Sequence, residues 1–496
     1  MKRKLTAAAV TSALAFTMFG TSGLSAKAET SSAPQQTQEK TYLMVFVKGI
    51  PANYESIVEK AGGKVSRVIS KVGALEAKSS NPQFAKKMKM SGGVQAINEE
   101  FVHKLNYKKI DPKAADGKPV TDIPQPENTN SYWNYQWDIQ NVTNNGESYK
   151  IQTGGQKNAD GTVTHKAVVG VIDSGIDPNH PDLKANYLGG KNFVPAGADA
   201  TEKGDPKDVI DRGGHGTHVS GSIAANGKLK GVGPDLGIRT YRVFPESGSA
   251  PTAWIVDAIL QAVEDKVDVI NMSIGGFSAL TYSIDGKRSS DVADVAIWMR
   301  AMQYAAANNV TVVTAAGNES LNYDDKQSLA DYFTKELDIP GLVVDGPVVE
   351  TPGGVSQAIT VSSSNKWSKD KLAFYSNYGQ NFIEVAAPGG DNGPVYAETG
   401  DLSKRDFHYR ALSTWPTYLA PYFTSNLHDY ALMHGTSMAA PKVAGIAGVI
   451  KAQYPSYSAK QVRKLIEKTA KDYGTPGFDN LYGYGEANVY NALTVK

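Results

Sequence analysis

From Tyr132 onward the chain alternates short apolar runs with longer stretches of helical periodicity, and this alternation limits the fold more than any other feature. Residues 168–172, 238–244, 267–273, 310–315, 358–362 and 383–386 read as strands. Residues 218–225, 253–263, 292–308 and 437–454 read as helices. Strands joined through helices run parallel, because each helix carries the chain back to the end where it started. A parallel sheet is covered on both faces. The expected fold is therefore α/β, a doubly wound parallel sheet with helices on both sides. In such sheets chemistry collects at the carboxyl ends of the strands. Asp173 directly follows one expected strand, Ser273 ends another, and Asn318 lies just past a third.

No cysteine occurs in the 496 residues, so the packed core, with any bound ions, must supply the stability. The 51 Lys and Arg nearly balance the 50 Asp and Glu, which gives no electrostatic case for nucleic acid or an anionic membrane as partner. Lys2, Arg3 and Lys4 precede an apolar stretch that ends in Ala26-Lys27-Ala28. That pattern is a secretory signal peptide, residues 1–28, with cleavage expected after Ala28. The mature protein is expected to be extracellular, monomeric and free of the membrane.

Residues 29–40 are polar and expected to be disordered. Residues 41–107 read as a small α+β domain: strand 42–47, helix 54–61 closed by Gly62-Gly63, strand-turn-strand over 65–78, helix 82–90 and strand 94–102. Residues 108–131 carry Asp111-Pro112, Asp116-Gly117, Pro124 and Pro126, a polar linker where a maturation cut is expected. The large domain spans 132–496.

Three blocks carry nucleophile chemistry. Val171-Ile172-Asp173-Ser174-Gly175 supplies a carboxylate at a strand end, Gly214-His215-Gly216-Thr217-His218 an imidazole, and His434-Gly435-Thr436-Ser437-Met438-Ala439-Ala440-Pro441 a hydroxyl at a helix start. A serine hydroxyl is a weak nucleophile and needs a base. The base needs a group that fixes its tautomer, and a buried carboxylate needs a donor, so each requirement meets the other. His215 and His218 also invite a zinc reading, but no His-Glu-x-x-His is present and Gly216 is a poor helix interior. Ala315-Ala316-Gly317-Asn318 can place a side-chain amide near a developing oxyanion.

The order Asp, His, Ser and the wording of these blocks resemble the subtilisin-like serine peptidases, the subtilases. The resemblance covers about residues 132–496 and implies a subtilisin-like fold with Asp173, His215 and Ser437 as the catalytic triad. It makes His218 a buried structural residue and Asn318 an oxyanion donor. It implies two substrate-binding edges, Gly248-Ser249-Ala250 and Ser273-Ile274-Gly275. It also makes residues 41–107 an inhibitor-type propeptide, so the partners implied are protein or peptide substrates and the chain's own propeptide.

The chemistry would need no cofactor, and the resemblance allows structural calcium. Asp182 matches one calcium ligand of the family, but the loop Asn226-Gly227-Lys228-Leu229-Lys230 is short, so that site is not carried over. Asp324-Asp325 and the group Asp472, Asp479 and Asn480 are the other calcium candidates, and no metal ligand is assigned. Lys442 stands where the family more often has histidine, a variant similar to peptidases that trim lantibiotic leaders. Two insertions, about 319–354 and 390–432, flank the catalytic blocks. Three functions follow in order of support: a general secreted serine endopeptidase, a processing peptidase for one secreted precursor, and a catalytically dead binding protein on the same scaffold.

Overall fold

The computed structural model describes residues 38–105, 131–160, 162–420 and 427–495. The expected signal peptide and all of the expected linker but Ser131 lie outside these residues, as do Asn106 and Tyr107.

Seven parallel strands form the central sheet, in the spatial order Val385–Pro388, Ala358–Ser364, Thr311–Ala315, Val269–Met272, Val168–Asp173, Gly237–Arg242 and Tyr187–Asn192. Alternation along the strands divides the core. Val169 and Val171 join Val219, Ile223 and Val443 on one face, under the helices His215–Ala224 and Thr436–Gln453. Ile172, Ile270 and Val312 face the other way, under the helices Thr252–Glu264 and Val292–Ala307. This is the doubly wound arrangement the alternating pattern requires.

Among the details that differ from the sequence reading, two concern the central sheet and the His215 helix. The edge strand Tyr187–Asn192 was not expected, because Gly189-Gly190 weaken its strand signal. A Cβ at Gly190 would overlap the Thr240 carbonyl oxygen, so the glycine permits the pairing. The helix expected at His218 begins at His215, with Gly216 inside its first turn. A Cβ at Gly216 would overlap the Gly175 carbonyl oxygen. The poor helix former is the residue that lets this helix press against the loop after Asp173.

Residues 40–99 form a four-stranded antiparallel sheet ordered Lys64–Ile69, Ala74–Ser79, Lys40–Phe46, Val94–Glu99. The first strand starts at Lys40, inside the stretch expected to be disordered. Tyr42, Met44 and Phe46 pack on the sheet's own helices, Tyr54–Ala61 and Phe84–Met90. Leu43 and Val45 point the opposite way and share one core with Ile255, Ile297 and Trp298 of the large domain. The small sheet also caps the two helices it lies on. Ala253 N–H donates to Glu100 Oε1 at 2.7 Å and Ala293 N–H donates to Asn98 Oδ1 at 2.7 Å. The strand expected over 94–102 divides, and Val102–Lys104 leaves the sheet for the large domain.

The first insertion builds the helix Lys326–Leu337 and the strands Leu342–Val344 and Val348–Thr351. These strands pair with Tyr282–Ile284 and Gly276–Ala279 around a separate core of Phe277, Leu329 and Phe333. The second contributes Ala411–Thr414, paired antiparallel with Tyr430–Met433. Among the described residues no helix is long and apolar enough to cross a membrane.

The buried face of the small sheet predicts a large cost for removing Leu43. In the intact chain Leu43→Ala should lower stability by about 3 kcal/mol, read by denaturant unfolding. A loss below about 1 kcal/mol would show that this face is not packed as described.

Candidate active site

Asp173 ends its strand fully buried, and the tight approach at Gly216 brings His215 to it. His215 Nδ1 lies 2.8 Å from Asp173 Oδ1 and 2.9 Å from Oδ2. With the Nδ1 hydrogen directed at the carboxylate, the neutral ring carries its lone pair on Nε2. Ser174 N–H donates to Asp173 Oδ1 at 2.7 Å. Burial lowers the His215 pKa more than any other single influence. The charge and hydrogen bond of Asp173, with the charge of Asp211, outweigh it, and the net shift is upward from the ordinary histidine value.

Asp211 was not singled out in the sequence, yet it organises this region. Its buried carboxylate accepts from Ser174 Oγ at 2.8 Å, Gly213 N at 3.1 Å, Gly214 N at 2.7 Å, Thr217 N at 2.8 Å and Thr217 Oγ1 at 2.7 Å. The bonds tie the loop before His215 to the loop after Asp173. An Asp shortly before Gly213-Gly214-His215 was the available signal, at the start of a helix whose amides need acceptors.

Ser437 is the second residue of the helix Thr436–Gln453. Its Oγ donates to the Ser273 carbonyl at 3.2 Å, and Ser273 Oγ donates to the Ser437 carbonyl at 2.8 Å. Pro441 explains the second bond. A helix would normally satisfy the Ser437 carbonyl from the N–H four residues on, and proline has none. Asn271 Nδ2 holds Ser273 Oγ in place at 3.1 Å. Ser273, expected as a substrate edge, thus also anchors the helix that carries Ser437.

Asn318 follows the strand Thr311–Ala315, and its Oδ1 accepts from Thr436 N at 2.8 Å and Thr436 Oγ1 at 3.0 Å. Those bonds fix which end of the amide is oxygen, so Nδ2 is the end free to donate. Asn377, also missed, supports the loop. Its Nδ2 donates to the Ala316 carbonyl at 3.0 Å, and its Oδ1 accepts from Glu319 N at 3.1 Å.

His215, Ser273, Ile274, Gly275, Asn318 and Ser437 line one cleft of about 880 Å³. The other expected edge, Gly248-Ser249-Ala250, is not among the residues lining that cleft and is paired with the chain itself. Ser249–Pro251 runs antiparallel to Val102–Lys104, with Ser249 opposite Lys104 and Ala250 opposite His103, and Leu105 N–H donates to the Gly248 carbonyl at 2.9 Å.

The other histidine and the calcium candidates are engaged differently. Buried His218 directs Nε2 at the Ala431 carbonyl, 3.1 Å away, and burial pushes its pKa down to about 3. Asp182 accepts from Lys228 N at 3.1 Å and Leu229 N at 2.9 Å, so the short loop supplies its partners. Asp325 caps the helix Lys326–Leu337, while Asp324 accepts from Gln380 N. Asp472 and Asp479 accept backbone N–H groups of their own turn. Among the described residues no group of three or more His, Asp or Glu is placed to hold a metal ion.

Lys442 is fully buried, with Nζ 2.8 Å from Asp138 Oδ2 in the helix Trp137–Thr143. The pair is a charge contact rather than an aligned hydrogen bond, and Nζ donates instead to the Met438 carbonyl at 3.0 Å.

The Asp211 network makes a stability prediction. Asp211→Ala strands several buried donors, each worth about 1–3 kcal/mol, so thermal unfolding should show a loss of at least about 3 kcal/mol together with reduced kcat/KM. A neutral substitution would show that the network does not hold the His215 loop.

With this geometry in place, the comparisons with known proteins agree on a family. The model of the subtilase family, Peptidase_S8, matches residues 164–485. The nisin leader peptide-processing serine protease NisP of Lactococcus lactis subsp. lactis is 33% identical over 347 residues, 68% of this chain and 47% of that protein. The chain therefore spans about half the length of that relative. The epidermin leader peptide-processing serine protease EpiP of Staphylococcus epidermidis is 30% identical over 376 residues, 72% of this chain and 74% of that protein. The crystal structure of EpiP from Staphylococcus aureus superposes with a TM-score of 0.72 at 28% identity, covering 92% of this chain and 98% of that one. Only the small sheet and the large domain together can reach such coverage. The chain belongs to the subtilase family, a family of serine endopeptidases.

Proposed function

We propose that the protein is a secreted serine endopeptidase, made as a self-inhibited precursor, that hydrolyses peptide bonds through Asp173, His215 and Ser437. The observation that carries this reading is the buried Asp173–His215 pair facing the same cleft as Ser437 and Asn318. Ser437 Oγ bonds to the carbonyl carbon of the scissile peptide while its proton passes to His215 Nε2. The resulting oxyanion takes hydrogen bonds from Asn318 Nδ2 and Ser437 N–H, at a helix start where the dipole favours negative charge. His215 returns the proton to the leaving amine as the C–N bond breaks, leaving an acyl-enzyme. Water repeats the sequence on the ester and restores the hydroxyl. Asp173 orients His215 and stabilises its charged form throughout. No cofactor takes part.

Residues 41–107 act as the inhibitor in this reading. The pairing of Val102–Lys104 with Ser249–Pro251 supports it, since a strand on that edge occupies the place of an extended substrate. Export through residues 1–28 and a maturation cut within 108–131 complete the pathway. A narrower function, processing of one secreted peptide precursor, is favoured by the likeness to two proteins named for leader-peptide processing. Cleavage of casein against cleavage of a defined leader peptide distinguishes the two.

Ser437→Ala should abolish hydrolysis and leave the precursor uncut. Residual activity near wild type would overturn the nucleophile assignment. Asn318→Leu should lower kcat by roughly a hundredfold or more with KM nearly unchanged, and a loss mainly in KM would make Asn318 a substrate-binding residue instead.

The base must be neutral to accept a proton, and the His215 pKa is raised. The acid limb of kcat/KM against pH should therefore lie above the ordinary histidine value. A limb below it would contradict the Asp173 contact. A peptide spanning residues 41–107 should inhibit the mature enzyme at micromolar concentration, and failure there would remove the inhibitor role.

A further inference from the structure

The second insertion supplies no member of the triad, yet part of it lies against the loop that leads to His215. Beyond the strand Ala411–Thr414, residues 415–420 fold into a turn. Leu419 N–H donates to the Pro416 carbonyl at 3.1 Å, and Trp415 Nε1–H donates to the Ala420 carbonyl at 2.9 Å. Three residues of this turn reach inward. The Trp415 ring covers Gly214, where φ is +85° and a Cβ would overlap the ring, so contact and backbone both require glycine. Thr417 donates through its N–H and its Oγ1 to Asp177 Oδ2, at 3.0 and 2.8 Å. Tyr418 is 46% exposed, but its hydroxyl is turned inward. It accepts from Asp211 N–H at 3.1 Å and donates to the Asp211 carbonyl at 3.0 Å.

These contacts converge on one network. Asp177 N–H donates to Thr217 Oγ1 at 3.0 Å, and Thr217 Oγ1 donates to Asp211 Oδ2 at 2.7 Å. Bonds therefore run from Thr417 through Asp177 and Thr217 to Asp211, and from Tyr418 to Asp211 directly. Asp211 also shares its N–H with the Ile176 carbonyl at 3.2 Å, so the loop keeps one attachment without Tyr418. Between Asp211 and His215 stand Gly213 and Gly214, the residues with the most backbone freedom to lose. A loop of that composition holds a side chain steady only when something outside it does the holding.

We propose that Tyr418 is a positioning residue for the general base: with Thr417 it ties the loop before His215 to the second insertion and so sets where His215 stands relative to Ser437. It acts through Asp211 and touches neither the substrate nor the reacting atoms. Placement of this kind matters to the rate, since an error of about 1 Å in a catalytic group costs about a hundredfold. A second effect accompanies it. The groups facing His215 are Asp173 at the strand end, Asp211 in the loop and His218 on its own helix. The Asp211 charge helps to raise the His215 pKa. A slackened loop carries that charge away, and the imidazole then loses its proton at lower pH.

This inference rests on the peptidase reading, and its test separates the two. Tyr418→Phe keeps the ring and removes only the hydroxyl. Rates on a peptide substrate are taken per site labelled by a fluorophosphonate at completion, so misfolded protein drops out. Tyr418→Phe should lower kcat roughly tenfold with KM unchanged and slow the labelling by a similar factor. The acid limb of its kcat/KM profile should move to lower pH. A lower melting temperature with kcat and the acid limb both unchanged makes Tyr418 a structural residue only and overturns the proposal. A loss confined to KM makes it a substrate contact and also overturns it. Should Tyr418→Phe yield no labelled protein, Thr417→Val reads the same attachment through Asp177. The same directions of change are expected there, and an unchanged variant overturns the proposal. Wild-type protein that neither labels nor cleaves any peptide overturns the peptidase reading, and this inference with it.

Discussion

A carboxylate withdrawn from water has to collect donors, and in this protein two of them do so side by side. Asp173 takes His215 and the Ser174 amide, while Asp211 takes the hydroxyls of Ser174 and Thr217 and three backbone amides. Ser174 bridges them, since it donates through its amide to one and through its hydroxyl to the other. The His215 helix can reach this position only because Gly216 brings no Cβ against Gly175. Ring orientation, tautomer and the raised imidazole pKa all follow from that one concentration of buried negative charge.

The large domain was legible because its strands are apolar runs of strand length and its helices are long enough to show their own period. The edge strand Tyr187–Asn192 escaped because an edge needs less apolar surface and its glycines serve a contact with Thr240 that sequence does not display. The positions of Asp173, His215, Ser437 and Asn318 were legible from short local blocks. Asp211 and Asn377 were not, because each acts by bonding loops remote from it in sequence. The division of residues 94–104 into two strands was hidden for the same reason, since the partner of the second piece is Ser249–Pro251. Lys442 was noticed as a departure, but its partner Asp138 belongs to a helix that the pattern did not reveal.

The departures from the family pattern have local physical roles. The short loop after the His215 helix turns its amides onto Asp182, so that carboxylate is satisfied by the backbone. The first insertion carries its own small core and adds a strand beside the Ser273–Gly275 edge. Extra chain at a sheet's carboxyl end costs the central fold little, because loops there already face solvent. It changes instead what lines the cleft, to which the insertion contributes Tyr332, Phe333, Glu336, Leu337, Ile339 and Glu350.

The contact between Lys442 and Asp138 fixes how far the N-terminus of the large domain can be shortened. The lysine lies little more than one turn beyond Ser437, and its counter-charge arrives from the helix Trp137–Thr143 near the start of that domain. Trimming that stopped before Trp137 would leave the pair intact. Trimming past Asp138 would maroon a positive charge in the interior beside His218, at a cost of about 3–5 kcal/mol. The boundary between dispensable and indispensable chain is therefore written from the inside, by an ammonium group that no exopeptidase can reach.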